Sequence, residues 1–194
     1  AHESDLATSL SNLANRLAQA GQLAEALTAL EQAVEIRRRL AAEIPAAHEP
    51  ELATSLSNLG IWLAQAGQLA DALTAIEQAV EIGRRLAAEN PAAHEPDLAT
   101  SLYVLAMHQA TRGDLLQALR STGEAVDVYR RYLAAMPLVR PLLHAVLGLQ
   151  AKLLDSLGHE FEAEEVRRWL RKNSLPSTSC GENEDEGNHH SATH

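Results

Sequence analysis

Between Leu52 and Val80 the apolar residues fall into two series with a glycine between them. Leu52, Leu56, Leu59 and Leu63 step by four, three and four, and Leu69, Leu73, Ile76 and Val80 repeat those steps after Gly67. Such steps collect each series on one face of a helix. A glycine just past a helix takes the left-handed conformation that satisfies the last carbonyls at little steric cost. The spacing therefore predicts a helical hairpin bent at Gly67. Nearly the same words begin at Leu6 and Leu98, both offsets being 46 residues (52 − 6 and 98 − 52). Gly21 and Gly113 hold the same place in their units, and Gly158 follows the third after 45 residues (158 − 113). A fixed period of this size marks a solenoid, in which each unit buries its apolar face only against its neighbours.

The predicted fold class is all-α, an α-α superhelix of about four hairpins stacked with a right-handed sense. Units span 1–46, 47–92 and 93–138, and a degraded fourth unit, 139–172, reads as a C-terminal cap with helices over 142–157 and 159–172. Its last helix is crowded with Glu160, Glu162, Glu164, Glu165, Arg167, Arg168, Arg171 and Lys172 beside Phe161, Val166, Trp169 and Leu170. A polar outer face is what a terminal repeat needs to keep an array soluble. Pro50 and Pro96 are expected to open the first helices of units two and three, with Ser4 as the N-cap of unit one. Pro45, Pro91 and Pro137 are expected to close the second helices. The second helix of unit two, over 68–89, would be about 33 Å long. Residues 173–194 carry almost nothing apolar and are expected to be a disordered acidic and histidine-bearing tail.

Composition sharpens this picture in a few places. The chain is 46% hydrophobic but only 3% aromatic, so its core must be built from Ala, Leu, Val and Ile, and Ala and Leu are the best helix formers. A net charge of −10 argues against nucleic acid as a partner, since that needs clustered cations. No apolar run approaches the roughly 20 residues of a membrane span, and no secretory leader opens the chain. The single Cys180 cannot close an internal disulfide, which favours a reducing, cytoplasmic setting. The chain opens at Ala1 already in register, which suggests a processed product or part of a longer array.

The series Leu59-Gly60, Leu63, Gly67, Ala72, Ile76 and Ala79 resembles the tetratricopeptide repeat. Unit one matches it with Leu13-Ala14, Leu17, Gly21, Ala26, Leu30 and Ala33, and unit three with Leu105-Ala106, Gly113, Ala118 and Ala125. The units depart from the usual 34 residues of that family, because Arg84-Arg85-Leu86-Ala87-Ala88 prolongs the second helix. In this they look like the long repeats of bacterial proteins and, more distantly, of kinesin light chains. The resemblance implies that the first helices line a concave groove holding a peptide or protein segment. It also implies an alternative, a sensing or regulatory segment of a larger bacterial signalling protein linked to an ATPase or protease domain. Further repeats or such a domain in the parent chain are then possible partners.

Units one and two differ at nine of their 46 positions, three of them consecutive: Ala14-Asn15-Arg16 against Gly60-Ile61-Trp62, with Ala106-Met107-His108 in unit three. By the resemblance, the middle residues, Asn15, Ile61 and Met107, should face the groove. Thr8, Ser11, Asn12, Thr54, Ser57, Asn58, Thr100, Tyr103 and Val104 should share that wall, making it polar at one end and apolar at the other. Asparagine amides can bond a ligand backbone, and Tyr103 with Met107 can hold an apolar side chain. Trp62 is read mainly as packing between units. The Asn, Lys and Arg clamp that some relatives close on a terminal carboxylate is not expected. Asn15 and Asn58 occupy two of its places, but Ser11, Thr100 and Val104 stand where its cations should be.

The pairs Arg38-Arg39, Arg84-Arg85 and Arg130-Arg131 recur with the period and read as a solvated edge, paired with Glu35, Glu81 and Asp127 upstream. His2, His48 and His94 recur in the inter-unit turns, too far apart to share a metal, and His189, His190 and His194 are a weak metal-binding tail at most. No nucleophile, base and orienting acid recur together, and no phosphate loop follows a strand. The sequence thus reads as a non-enzymatic binding module with no cofactor, no metal and no membrane or nucleic-acid partner.

Overall fold

A computed structural model describes residues 2–174, and residues 175–194 of the expected tail, with Cys180 and its histidines, lie outside the described residues. The described residues form eight α-helices and one short 3₁₀ turn, with no strand among them. The helices are α1 (His2–Gln19), α2 (Leu23–Glu43), α3 (Pro45–Gln65), α4 (Leu69–Glu89), α5 (Pro91–Thr111), α6 (Leu115–Tyr132), α7 (Arg140–Ser156) and α8 (Glu160–Lys172), and the 3₁₀ turn is Pro137–Val139.

Each hairpin bends where the glycine stands. Gly21, Gly67, Gly113 and Gly158 have φ of 79°, 80°, 85° and 79°. The amide of Gln22 donates to the Leu17 carbonyl at 2.9 Å and that of Gly21 to Ala18 at 3.0 Å. This is the paired Schellman closure, and it recurs at the other three glycines.

The entrances differ from expectation. α3 and α5 begin at Pro45 and Pro91, and Pro50 and Pro96 lie inside them. Ser4 likewise lies inside α1 and is not a cap; its carbonyl accepts the Thr8 hydroxyl at 3.0 Å. The added turn carries Glu3, Glu49 and Glu95, which reach Arg39, Arg85 and Arg131 on the second helix of the same unit at 3.4, 2.5 and 2.9 Å. Arg38 and Arg84 reach the next unit, bonding Gln78 at 2.7 Å and Glu124 at 2.8 Å. The arginine edge is therefore paired across helices and not along them. Exposed pairs of this kind contribute about 0–1 kcal/mol each, so they set register more than stability.

Consecutive helices pack most extensively, and α3 meets α5 and α5 meets α7 across units, so the first helices stand side by side along one face. The core is a ribbon in two stretches that meet at α4. That helix presents Ala72, Ala75 and Ala79 to the first stretch and Ile76 and Val80 to the second. At Gly60 an added Cβ would stand 2.7 Å from the Ile76 Cδ1 and 3.0 Å from the Ala72 carbonyl oxygen, so α3 and α4 approach as closely as they do only with glycine there. The leucine face of α1 is less covered than its copies. Leu6 and Leu13 are 51% and 47% exposed, while their counterparts Leu52 and Leu59 are 7% and 8% exposed under α2. At the other end Arg167 pairs with Asp155 and Glu164, and Arg171 with Glu164, giving α8 a charged outer face.

Candidate functional site

The face formed by the first helices is hollowed between α1 and α3. Thr8, Ser11, Asn12 and Asn15 of α1 and Thr54 and Asn58 of α3 converge on a hollow of about 410 Å³. Six of the twelve residues expected on the wall thus come together. Thr100 lies one step along, on a smaller hollow of about 80 Å³ between α3 and α5 that shares Pro50, Thr54 and Asp97 with the first. Ile61, Tyr103 and Met107 are half-buried and lean on the second stretch of core, and Asn15 is exposed. Ser57 and Val104 are not on the open wall. Ser57 is buried with its hydroxyl 2.9 Å from that of Ser101, which ties α3 to α5, and Val104 belongs to the core. A helix face spans a limited arc, and these two positions turn into the joint.

In units two and three the third residue of the variable triplet also turns inward, while Arg16 of unit one is exposed. Trp62 packs against the first stretch of core with its indole N–H buried and without a partner. His108 is buried, its Nδ1 2.9 Å from the Val104 carbonyl. That carbonyl can only accept, so Nδ1 donates to it, and the buried Nε2 has no hydrogen-bond partner.

Sequence reasoning missed the floor. Arg37 rises from α2 into the larger hollow, donating from one terminal nitrogen to the hydroxyls of Ser11 (2.7 Å) and Ser55 and from the other to Thr8 (3.4 Å). It is half-buried, and that burial lowers its pKa, while the negative charge of Glu51 works the other way. Its counterparts one and two periods on are Gly83 and Tyr129. Tyr129 is fully buried, its hydroxyl 2.9 Å from that of Thr100, and burial raises its pKa. The signal was present in the sequence: Arg37 and Gly83 are among the nine differences between units one and two. It stands on the second helix beside the constant pair Arg38-Arg39, away from the first-helix positions expected on the wall.

No group of three or more His, Cys, Asp or Glu able to hold a metal occurs among the described residues. His48 instead faces Glu51 at 3.8 Å. No described helix is long and apolar enough to cross a membrane.

Residues 5–85 match the tetratricopeptide repeat family. No curated protein matches the chain. Among solved structures the chain is similar to BtubC (BKLC) from P. vanneervenii, with a TM-score of 0.67 and 18% identity over 97% of this chain and 69% of that one. It is also similar to nearly identical TPR-like repeats of a putative kinesin light chain from Podosopora anserina, with a TM-score of 0.51 and 21% identity over 88% and 95%. At these identities the likeness is one of fold.

Proposed function

We propose, for a chain that carries tetratricopeptide repeats, that it is a non-enzymatic interaction module holding a peptide or protein segment along the first helices. One observation carries the reading. The repeated framework is held nearly constant between units one and two, while Asn15, Ile61 and Met107, with Arg37 beneath, change the chemistry of the hollowed face from polar to apolar. A rigid scaffold with a varied wall is what sequence-selective binding requires. Asn12, Asn15 and Asn58 offer amides to an extended backbone, and Ile61, Tyr103 and Met107 offer apolar contact further along.

The test is a random peptide library displayed on phage and panned against the chain and against an Asn12→Arg/Asn15→Arg variant. Both positions are exposed, so the variant keeps its fold, which circular dichroism checks. Peptides enriched on the parent should bind the variant at least about tenfold more weakly. Equal binding to both, or no enrichment at all, would overturn the reading.

A further inference from the structure

The second-helix position occupied by Arg37, Gly83 and Tyr129 lies beneath the cleft between consecutive first helices, and its side chain decides whether that cleft is plugged. Between α1 and α3 the plug is Arg37, bonded to Thr8 and Ser11 on one side and Ser55 on the other. In unit three it is Tyr129, buried and bonded to Thr100. Between α3 and α5 Gly83 supplies no plug, and the 80 Å³ hollow opens over it. Ala53, Leu86 and Leu98 give it apolar walls, Thr54 and Thr100 stand across it, and Asp97 lies exposed at its mouth beside His94.

A cavity of about 150 Å³ holds the six carbons of benzene, so this one takes about three or four carbons. That is the tip of a valine, isoleucine or leucine side chain. Charge identifies the neighbour. Glu51 and Asp97 are the acids lining the two joined hollows and Arg37 is their one Arg or Lys, which leaves a negative charge in excess on a chain of net charge −10. Arg37 gives three N–H bonds to hydroxyls and faces Glu51, so Asp97 is the acid left to a ligand.

We propose that the hollow over Gly83 is a side-chain pocket that seats one branched aliphatic residue of an extended peptide, with an adjacent lysine or arginine paired to Asp97. This rests on the groove-binding reading and adds the chemistry of the partner to it. The ligand side chain takes the place that Arg37 and Tyr129 fill in the neighbouring units.

The peptides selected on the parent chain are the probe, measured against Gly83→Tyr, which installs the plug of unit three, and Asp97→Lys, an exposed change that spares the fold. The expected result is a shared Val/Ile/Leu–Lys/Arg pair, affinity at least about tenfold lower on Gly83→Tyr, and selection on Asp97→Lys turning from basic to acidic neighbours. Peptides that respond to Asn12→Arg/Asn15→Arg but lack the pair, or ignore both new variants, would overturn the pocket and leave groove binding standing. An absence of any groove-dependent peptide would overturn both. An added Cβ at Gly83 meets the Leu98 Cδ1 at 3.2 Å, so Leu98 must shift a little. If Gly83→Tyr does not fold, the Asp97→Lys selection decides alone: an unchanged basic preference, or none on the parent, refutes the proposal.

Discussion

Replacing Gly60 with alanine sets two opposed effects against each other in a place where the structure says which wins. Alanine is favoured over glycine inside a helix by about 1 kcal/mol, so on propensity alone the change should stabilise α3. The new methyl, however, would press on Ile76 of α4, which is fully buried, and on the Ala72 carbonyl at 3.0 Å. Overpacking of this kind costs about 1–3 kcal/mol, and a backbone oxygen cannot swing aside as a side chain can. The expected net effect is a loss of about 1–2 kcal/mol. Unit one carries the compatible pair at these positions, Ala14 with Leu30, both buried. Gly60→Ala combined with Ile76→Leu should therefore recover the parent stability or exceed it. Ile76→Leu alone should cost under about 1.5 kcal/mol, as volume-conserving swaps do. Urea unfolding of the four proteins, followed by circular dichroism, closes a double-mutant cycle with an expected coupling of at least about 1–2 kcal/mol, well above the ~0.5 kcal/mol within which independent sites add. A Gly60→Ala protein as stable as the parent, or a double variant no better than the sum of its parts, would show that the close approach does not bind these residues together.

Further outcomes follow from the turns, the floor and the ionisable groups. Gly113→Ala forces a side chain into a left-handed conformation at φ 85° with open space around it, so strain alone should cost about 1–2 kcal/mol in the same unfolding assay. Arg37→Met keeps an apolar stem but deprives three hydroxyls of a donor, and should lose about 1–2 kcal/mol by urea unfolding. Arg171, with Arg167, holds the Glu164 carboxyl below the usual carboxylate range. Its folded value is depressed, so its contribution is present above the unfolded value of about 4.3 and is lost as pH falls through the folded one; amide exchange in α8 should quicken there. Burial holds the Tyr129 phenol above its ordinary value, against the Thr100 hydrogen bond that lowers it. Here the neutral form is favoured, so stability is complete below the unfolded value of about 10 and is lost as pH rises through the higher folded one. Phenolate absorbance should show Tyr129 titrating late together with alkaline unfolding, and Tyr132, also held above its ordinary value by desolvation and by Glu95, titrating late without it.

What could be read from the chain beforehand follows from how local each cause is. The hairpins were legible because a helix face and a left-handed stop are decided by residues a few positions apart: Leu59 with Leu63, or Leu17 with Gly21. The entrances were not, because Pro45 and Pro50 are both in register for a helix start. The helix starts at Pro45, in a turn whose Glu49 meets Arg85, a partner 36 residues distant that spacing does not show. Thr8, Ser11, Asn12, Asn15, Thr54 and Asn58 could be expected on one wall because the family resemblance says which face of the first helices is open. Ser57 and Val104 were misplaced because their side chains turn into the α3–α5 joint, an angle fixed by packing and invisible to spacing. Arg37, Gly83 and Tyr129 escaped because the floor belongs to the second helices.

The uneven anchoring of α1 bears on how the hollow above Arg37 would work. Four of that hollow's eleven lining residues, Thr8, Ser11, Asn12 and Asn15, stand on a helix whose only buried residues are Ala7 and Ala14, whereas α3 on the far bank has eight. The two banks are thus unequal in firmness. A guest resting between them would leave at a pace governed by how often α1 lifts from its bed, and in staying it would fasten that helix down.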